Sequence, residues 1–388
     1  MAAFACALCA SPASAYTFQV IHNFTGGSDG AAPPYTLVRE RQGFLGTSSS
    51  GGKTGNGTVF DLKQNASGWT VRPVYNFGDT DGAPGWGVTR FNGSLYVNAF
   101  YAEVMDGPCG SALQVNRSSG GHGYQGVLMH TYVKKQDGCP TGNLVLDSAG
   151  NVYGVTQDGG ANGWGSIFEL SNSGNSWTQT ILYSFPGASG GGAPYSAPVF
   201  DQAGNLYGTA TAGGNQGCGQ GCGTVYELSP GKSGWSYSVL YSFTGGNDGG
   251  QPTAGLVFDK AGNLYGAAES YGANGGGTVF ELSPSGNTWS FNLLTALPGT
   301  GGPVVSLTLD GTHNIYGTSF FGTSGYGAVF RLTQANGSWR YRDLHDFTGG
   351  SDGGYPGGGV TRDASGNLYG TAVLGGTDNG GVIYELAK

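Results

Sequence analysis

Apolar and polar positions run along the chain in short stretches of about four to eight residues, each bounded by Gly, Asn, Asp or Pro. These stretches are rich in Val, Leu, Tyr, Phe, Trp and Thr, which marks them as β-strands. Nowhere do apolar residues recur with the 3.6-residue period of an amphipathic helix. One stretch, Gly-small-apolar-aromatic-acid-apolar, returns down the chain. It reads GTVFDL from Gly57, GSIFEL from Gly165, GTVYEL from Gly223, GTVFEL from Gly277, GAVFRL from Gly327 and GVIYEL from Gly381. A degenerate copy, GSALQV, begins at Gly110. Successive starts are about 54 residues apart, the signature of a repeat architecture.

Each unit has four such stretches. From Thr253 they are TAGLVFD, NLYGAAE, GTVFELS and TWSFNLL. The first two are joined by tight polar turns, DKAGN (Asp259 to Asn263) here and DQAGN (Asp201 to Asn205) in the preceding unit. Gly and Asn in such turns accept positive φ, so these are hairpins. Four antiparallel strands repeated seven times predict an all-β protein, a seven-bladed β-propeller. A solenoid is the alternative, and the two ends of the repeat region decide between them. YTFQVIHNF (Tyr16 to Phe24) matches a fourth stretch standing alone, whereas the last unit stops at its third, GVIYEL. A ring closed by the N-terminal strand joining the C-terminal blade satisfies both edges; a solenoid would leave each unfinished. Six blades are therefore expected to be contiguous, and the seventh to be assembled from residues 16–24 and 355–388.

Composition narrows the class further. The chain has 78 glycines and 16 prolines, but only 10% charged and 12% aromatic residues. Disordered chains show the reverse balance, and collagen would need Gly at every third position. No apolar run is long enough to span a membrane as a helix. A net charge of −8 with 16 thinly spread basic residues argues against nucleic-acid partners and against adhesion to anionic membranes. Residues 1–15 read as a signal peptide: AAFACALCA is small and apolar, and Ala13-Ser14-Ala15 gives an A-x-A cleavage site, although no Lys or Arg precedes it. The propeller domain is then residues 16–388, secreted or periplasmic, with a monomer expected. Cleavage removes Cys6 and Cys9 and leaves Cys109, Cys139, Cys218 and Cys222. An even count in an exported chain points to disulfides, with three possible connectivities. Cys218 and Cys222 share one Gly-rich loop and can close on each other, which would leave Cys109 to pair with Cys139. A zinc tetrad is the competing reading; it would require two distant loops to meet, and no His stands beside these cysteines.

The unit resembles the Gloeo-Verruco (GloVer) tandem repeat of exported bacterial proteins. The residues that carry the resemblance are DxxGNLYG, the GG-rich loop, GTVFEL, and LYSF followed by TGGxDGxxP. It covers residues 16–388. It implies an exported propeller of poorly defined function, often followed by a surface-anchoring tail. This chain ends at Lys388 with no such tail, which favours a free protein over an anchored one.

In a propeller the loops joining strands two to three and four to one share one face, around the channel mouth, where ligands bind by default. Here both loop types are Gly-rich. Asp29, Asp81, Asp137, Asp248 and Asp352 take one repeat position in the four-to-one loops. They read either as a ring of carboxylates for Ca²⁺ or sugar hydroxyls or, more simply, as Asp-Gly turns. No cofactor and no resident metal site is expected, Ca²⁺ being the one ion the ring would suit. The second blade departs most from the repeat. It carries LYVNAF (Leu95 to Phe100) and YAEVMDGPCG, so Tyr101, Glu103, Asp106, Lys134 and Lys135 are candidate ligand-binding residues, fixed by a Cys109–Cys139 bridge. The opposing reading is a drifted repeat patched by a disulfide. His22, His130 and His345 share a position that is Tyr75, Tyr183 and Tyr241 in other blades, which suggests packing with a polar tip. Trp69, Trp177, Trp235, Trp289 and Trp339 recur at the start of the outer strand and are expected to fill grooves between blades. The glutamate of GTVFEL recurs too often to be a single catalytic acid.

The expected function is a binding or scaffold module for an extracellular polysaccharide or envelope protein, acting through the Gly-rich face. The alternative is a carbohydrate-active enzyme, a lyase or glycoside hydrolase, with its site at the channel mouth. A third reading is a stable spacer. Enzymes need convergent titratable groups from non-equivalent repeats, and this sequence offers more repetition than convergence.

Overall fold

The computed structural model describes residues 16–101, 107–118, 120, 123–174, 176–286, 288–298, 306–312 and 314–388. Seven antiparallel sheets follow one another around a ring. Blade 5 is typical, with strands Val257–Phe258, Leu264–Ala268, Thr278–Ser285 and Thr288–Ala296 from the axis outwards. Blade 1 starts at Val38, blade 2 at Ala83, blade 3 at Pro140, blade 4 at Gly192 and blade 6 at Leu307. Blade 7 begins at Thr361 and borrows its outer strand, Thr17–Asn23, from the other end of the chain. That strand pairs with Val382–Ala387 from Thr17↔Ala387 to Asn23↔Val382, with one irregularity at Val20/His22. The closed ring is the one the two partial units anticipated.

The pattern LYG followed by GTVF explains the packing inside each blade. The glycine of the second strand lies under the aromatic ring of the third: a Cβ on Gly154, Gly266 or Gly317 would stand 2.5 Å from the ring of Phe168, Phe280 or Phe330. These glycines are needed for close approach rather than for backbone freedom. Blade 2, whose copy looked degenerate, makes the complementary exchange. It carries Val97 in place of the glycine and Leu113 in place of the aromatic residue, both fully buried. Volume moves from one strand to the next while the blade stays filled.

Blades join through aromatic side chains and hydroxyls. An aromatic residue at or just past the end of the outer strand reaches the third strand of the next blade. Phe24 meets Phe60 at 5.3 Å, Tyr132 meets Phe168 at 5.4 Å, Phe243 meets Phe280 at 5.2 Å and Phe347 meets Tyr384 at 5.2 Å. The recurring Trp residues also touch the neighbour, with Trp69 at 5.6 Å from Tyr369 and Trp289 at 5.8 Å from Tyr207. Near the axis, second-strand hydroxyls donate to the next blade's backbone: Thr47 to the Trp86 carbonyl at 2.9 Å, Thr318 to Gly358 at 2.9 Å and Thr371 to Tyr35 at 2.9 Å. This accounts for one departure from the sequence pattern. The innermost stretch looked seven residues long, yet in blades 5 and 7 only two residues pair as strand. Its upstream carbonyls serve the neighbouring blade, and its Pro and Gly cannot sustain a ladder.

Candidate functional site

Each Asp-Gly loop is braced by its own aspartate. Asp29 accepts the Thr25 N–H at 3.0 Å and faces His22 Nε2 at 3.2 Å. Asp248 accepts the Thr244 N–H at 2.8 Å and the Tyr241 hydroxyl at 2.9 Å. Asp352 accepts the Thr348 N–H at 3.0 Å beside His345 Nε2 at 3.1 Å, and Asp137 accepts the Val133 N–H at 3.1 Å beside His130 at 3.3 Å. Asp81 accepts the Tyr75 hydroxyl at 2.6 Å and the Gly78 N–H at 2.7 Å. The exchange of His with Tyr seen in the sequence is therefore an exchange of one loop-bracing polar tip for another. Among the described residues, no three His, Cys, Asp or Glu side chains group as a metal ion would require.

The bracing has a pH consequence. Burial lowers the pKa values of His22 and His345 below the ordinary 6.5, and the bonds to Asp29 and Asp352 offset this in part. The unfolded chain then binds more protons than the folded one below that pH, so stability falls as pH drops through 6.5. The double variant His22→Tyr/His345→Tyr carries the residue that blades 1, 3 and 4 use. It is expected to flatten the loss of melting temperature between about pH 7 and pH 5. An unchanged slope in circular-dichroism melts would assign the acid sensitivity elsewhere.

In blade 2, Tyr101 donates its hydroxyl to the Thr80 carbonyl at 2.8 Å, and its own backbone N–H bonds the Cys109 carbonyl. Lys134 and Lys135 follow the outer strand Tyr124–Val133. Glu103 and Asp106 lie outside the described residues, as do residues 1–15. Both disulfides form: Cys109–Cys139 ties blade 2 to blade 3, and Cys218–Cys222 closes within one loop.

The convergence of non-repeating residues is found at the axis. On the Gly-rich face a cavity of about 350 Å³ is lined from six blades, by Tyr35, Trp86, Phe100, Tyr195, Thr253 and Phe320 among others. Trp86 is its centre, edge-on to Tyr35 at 5.6 Å and to Tyr195 at 5.2 Å, with Phe100 at 5.9 Å. Trp86 is 7% exposed, and its indole N–H has no hydrogen-bond partner. The buried Thr253 hydroxyl also lacks one. Burial pushes the phenols of Tyr35 and Tyr195 up, the negative charge of Glu269 adding to the effect on Tyr195. Glu269 is raised by its own burial, offset in part by the Thr253 hydroxyl, which lies near the carboxyl without completing a well-aligned bond. From Phe320 the aromatic surface continues outwards over blades 6 and 7: Tyr355 is 4.8 Å from Phe320, and Tyr326 is 5.7 Å from Tyr355. Phe321 and Tyr326 are about 40% exposed.

Sequence reasoning missed these residues, although the repeat held the signal. The position at the end of the second strand reads Ser49, Phe100, Gln157, Thr211, Glu269, Phe320 and Val373 around the ring. Two adjacent positions early in the innermost stretch are Pro34-Tyr35, Gly85-Trp86 and Tyr195-Ser196 in blades 1, 2 and 4, but Thr253-Ala254 and Gly357-Gly358 in blades 5 and 7. Two other hollows are repeat-equivalent notches between blades. One is lined by Asp259, Tyr265 and Trp339, the other by Asp363, Tyr369 and Trp69. Their recurrence marks them as architecture.

Fold and site together define a seven-bladed β-propeller with an aromatic axial cavity on its Gly-rich face. Residues 219–388 match the family model described as Gloeobacter/Verrucomicrobia repeat. The chain is thus a seven-bladed propeller whose residues 219–388 carry that repeat. The comparison with curated proteins found no match. Among solved structures, YCF48 from Cyanidioschyzon merolae is 12% identical with a TM-score of 0.53, over 95% of this chain and 98% of that one. YCF48 bound to D1 peptide is 12% identical with a TM-score of 0.53, over 96% and 95%. The PQQ-bound aldose sugar dehydrogenase from Streptomyces coelicolor is 14% identical with a TM-score of 0.48, over 79% and 94%. The likeness to the two YCF48 structures shows the fold alone.

Proposed function

We propose that this protein is an exported glycan-binding propeller that seats a saccharide in the axial cavity and carries the rest of the chain across the aromatic surface of blades 6 and 7. The observation that carries the reading is the continuous aromatic row from Trp86 and Tyr195 through Phe320 to Tyr355 and Tyr326. The C–H face of a pyranose is apolar and faintly positive, so it stacks on the negative face of an aromatic ring. The unpartnered Trp86 N–H and Thr253 hydroxyl supply the few polar contacts that fix orientation in such pockets. The volume of about 350 Å³ lies within the range for small-ligand sites. Two disulfides, and the lack among the described residues of a helix long and apolar enough to cross a membrane, are compatible with an extracellular or periplasmic location.

Binding is favoured over hydrolysis on chemical grounds. Glycoside hydrolysis uses a pair of carboxylates flanking the bond. Among the described residues, no Asp or Glu lines the cavity. The test is native affinity electrophoresis of the purified protein through gels containing neutral polysaccharides, with reducing ends assayed in parallel. Retention without product, weakened at least about tenfold in Trp86→Ala and Tyr195→Ala, is the expected result. Retention indifferent to both substitutions would remove the axial cavity from the reading, and reducing ends released by the wild type would replace binding with catalysis.

A further inference from the structure

Glu269 stands beside the cavity, at the repeat position from which Phe100, Phe320 and Val373 line it, and stacking on a neutral sugar does not explain its charge. At its repeat position the other six blades carry Ser49, Phe100, Gln157, Thr211, Phe320 and Val373, none of them ionisable. The blade itself therefore has no need of a charge there. Its backbone does the ordinary work of the position: the Glu269 N–H bonds the Gln251 carbonyl at 3.2 Å, as the Val373 N–H bonds Tyr355 at 3.1 Å in blade 7. The side chain is half-buried beside Thr253 and Tyr195, both of which line the cavity. No Lys, Arg or His among the described residues forms an ion pair with it.

A carboxylate drawn partly out of water with only a hydroxyl beside it is stabilised when a cation is brought to it. The walls around it suit that cation. Trp86, Tyr195 and Tyr35 present ring faces and edges within one cluster, and an ammonium held over such rings gains further attraction where water is excluded. The overall charge of −8 also favours the approach of a polycation over that of a polyanion.

We infer that the axial cavity selects glycans bearing a free, protonated amino group, with the ammonium held between the Glu269 carboxylate and the aromatic walls formed by Trp86 and Tyr195. This rests on the glycan-binding reading and gives it a substrate class, the amino sugars with unmasked amines. The polar tip of Thr253 completes the setting as an acceptor for one ammonium proton. N-acetylation would remove the charge and add bulk, leaving Glu269 with no partner.

The experiment is a titration of tryptophan emission with three tetrasaccharides: β-1,4-linked glucosamine, its fully N-acetylated form, and cellotetraose. Wild type is expected to bind the free-amine oligomer at least about tenfold more tightly than either neutral one, and the preference should shrink at high salt. Glu269→Gln is expected to erase the preference while keeping the neutral affinities within about twofold and the melting temperature unchanged. That variant keeps the shape of the side chain, so a folding defect is separable by its melt. Equal binding of all three by wild type, or a preference that survives Glu269→Gln, overturns the amino-sugar inference and leaves glycan binding standing. Failure of all three to bind overturns both.

Discussion

Deletion of residues 16–24 is expected to leave a protein that no longer melts cooperatively and that aggregates on purification. This segment is the outer strand of blade 7, and its ladder to Val382–Ala387 is the join that closes the ring. Without it, the third strand of blade 7 becomes an unpaired edge, which is a template for association. The segment also carries aromatic contacts to blades 6, 7 and 1. Phe18 stacks on His345 at 3.6 Å, and Phe24, fully buried, packs on Phe60 of blade 1 at 5.3 Å. Truncation of one buried Phe to Ala destabilises by about 3–5 kcal/mol, a large part of the roughly 5–15 kcal/mol that holds a typical domain. Phe24→Ala alone is therefore expected to lower the melting temperature by roughly 5–10 °C. A deletion variant that melts as wild type would mean that the ring does not depend on this strand.

Gly266→Val is expected to destabilise by about 3 kcal/mol, the upper end for overpacking a filled core. A Cβ at Gly266 would meet the Phe280 ring at 2.5 Å and Leu256 Cδ2 at 2.8 Å, before any γ-carbon is added. Blade 2 indicates how the damage can be repaired, since Val97 there stands with Leu113. The double variant Gly266→Val/Phe280→Leu is expected to recover most of the loss, giving a favourable coupling of about 2 kcal/mol in a double-mutant cycle measured by urea unfolding. Additive losses would show that Val97 and Leu113 are tolerated for some other reason.

Much of this was legible beforehand because a propeller is a periodic object. Spacing of the GTVFEL stretches fixes the number of blades, the turns DKAGN and DQAGN fix the hairpins, and the two partial units at the ends fix the closure. Those signals are local in sequence, and each is repeated, so each copy corroborates the others. The same periodicity hid the site. Repeats draw attention to what recurs, and the recurring Asp29, Asp81, Asp137, Asp248 and Asp352 turn their oxygens into their own loops. The departures that mattered are single residues at scattered positions, less conspicuous than the rewritten stretch around Tyr101 in blade 2.

The sequence by itself determined the strands, the blade count and the ring, and it offered the cysteine pairing that the structure shows. Only the tertiary structure decided which side chains share the axis. Tyr35 and Glu269 are separated by most of the chain, and no local propensity relates them. Tyr35 lines the axial cavity, and Glu269 lies beside the lining residues Thr253 and Tyr195, because closing seven twisted sheets into a ring carries equivalent positions of the blades towards a common centre. Proximity there depends on the angle of each blade around the axis rather than on distance along the chain.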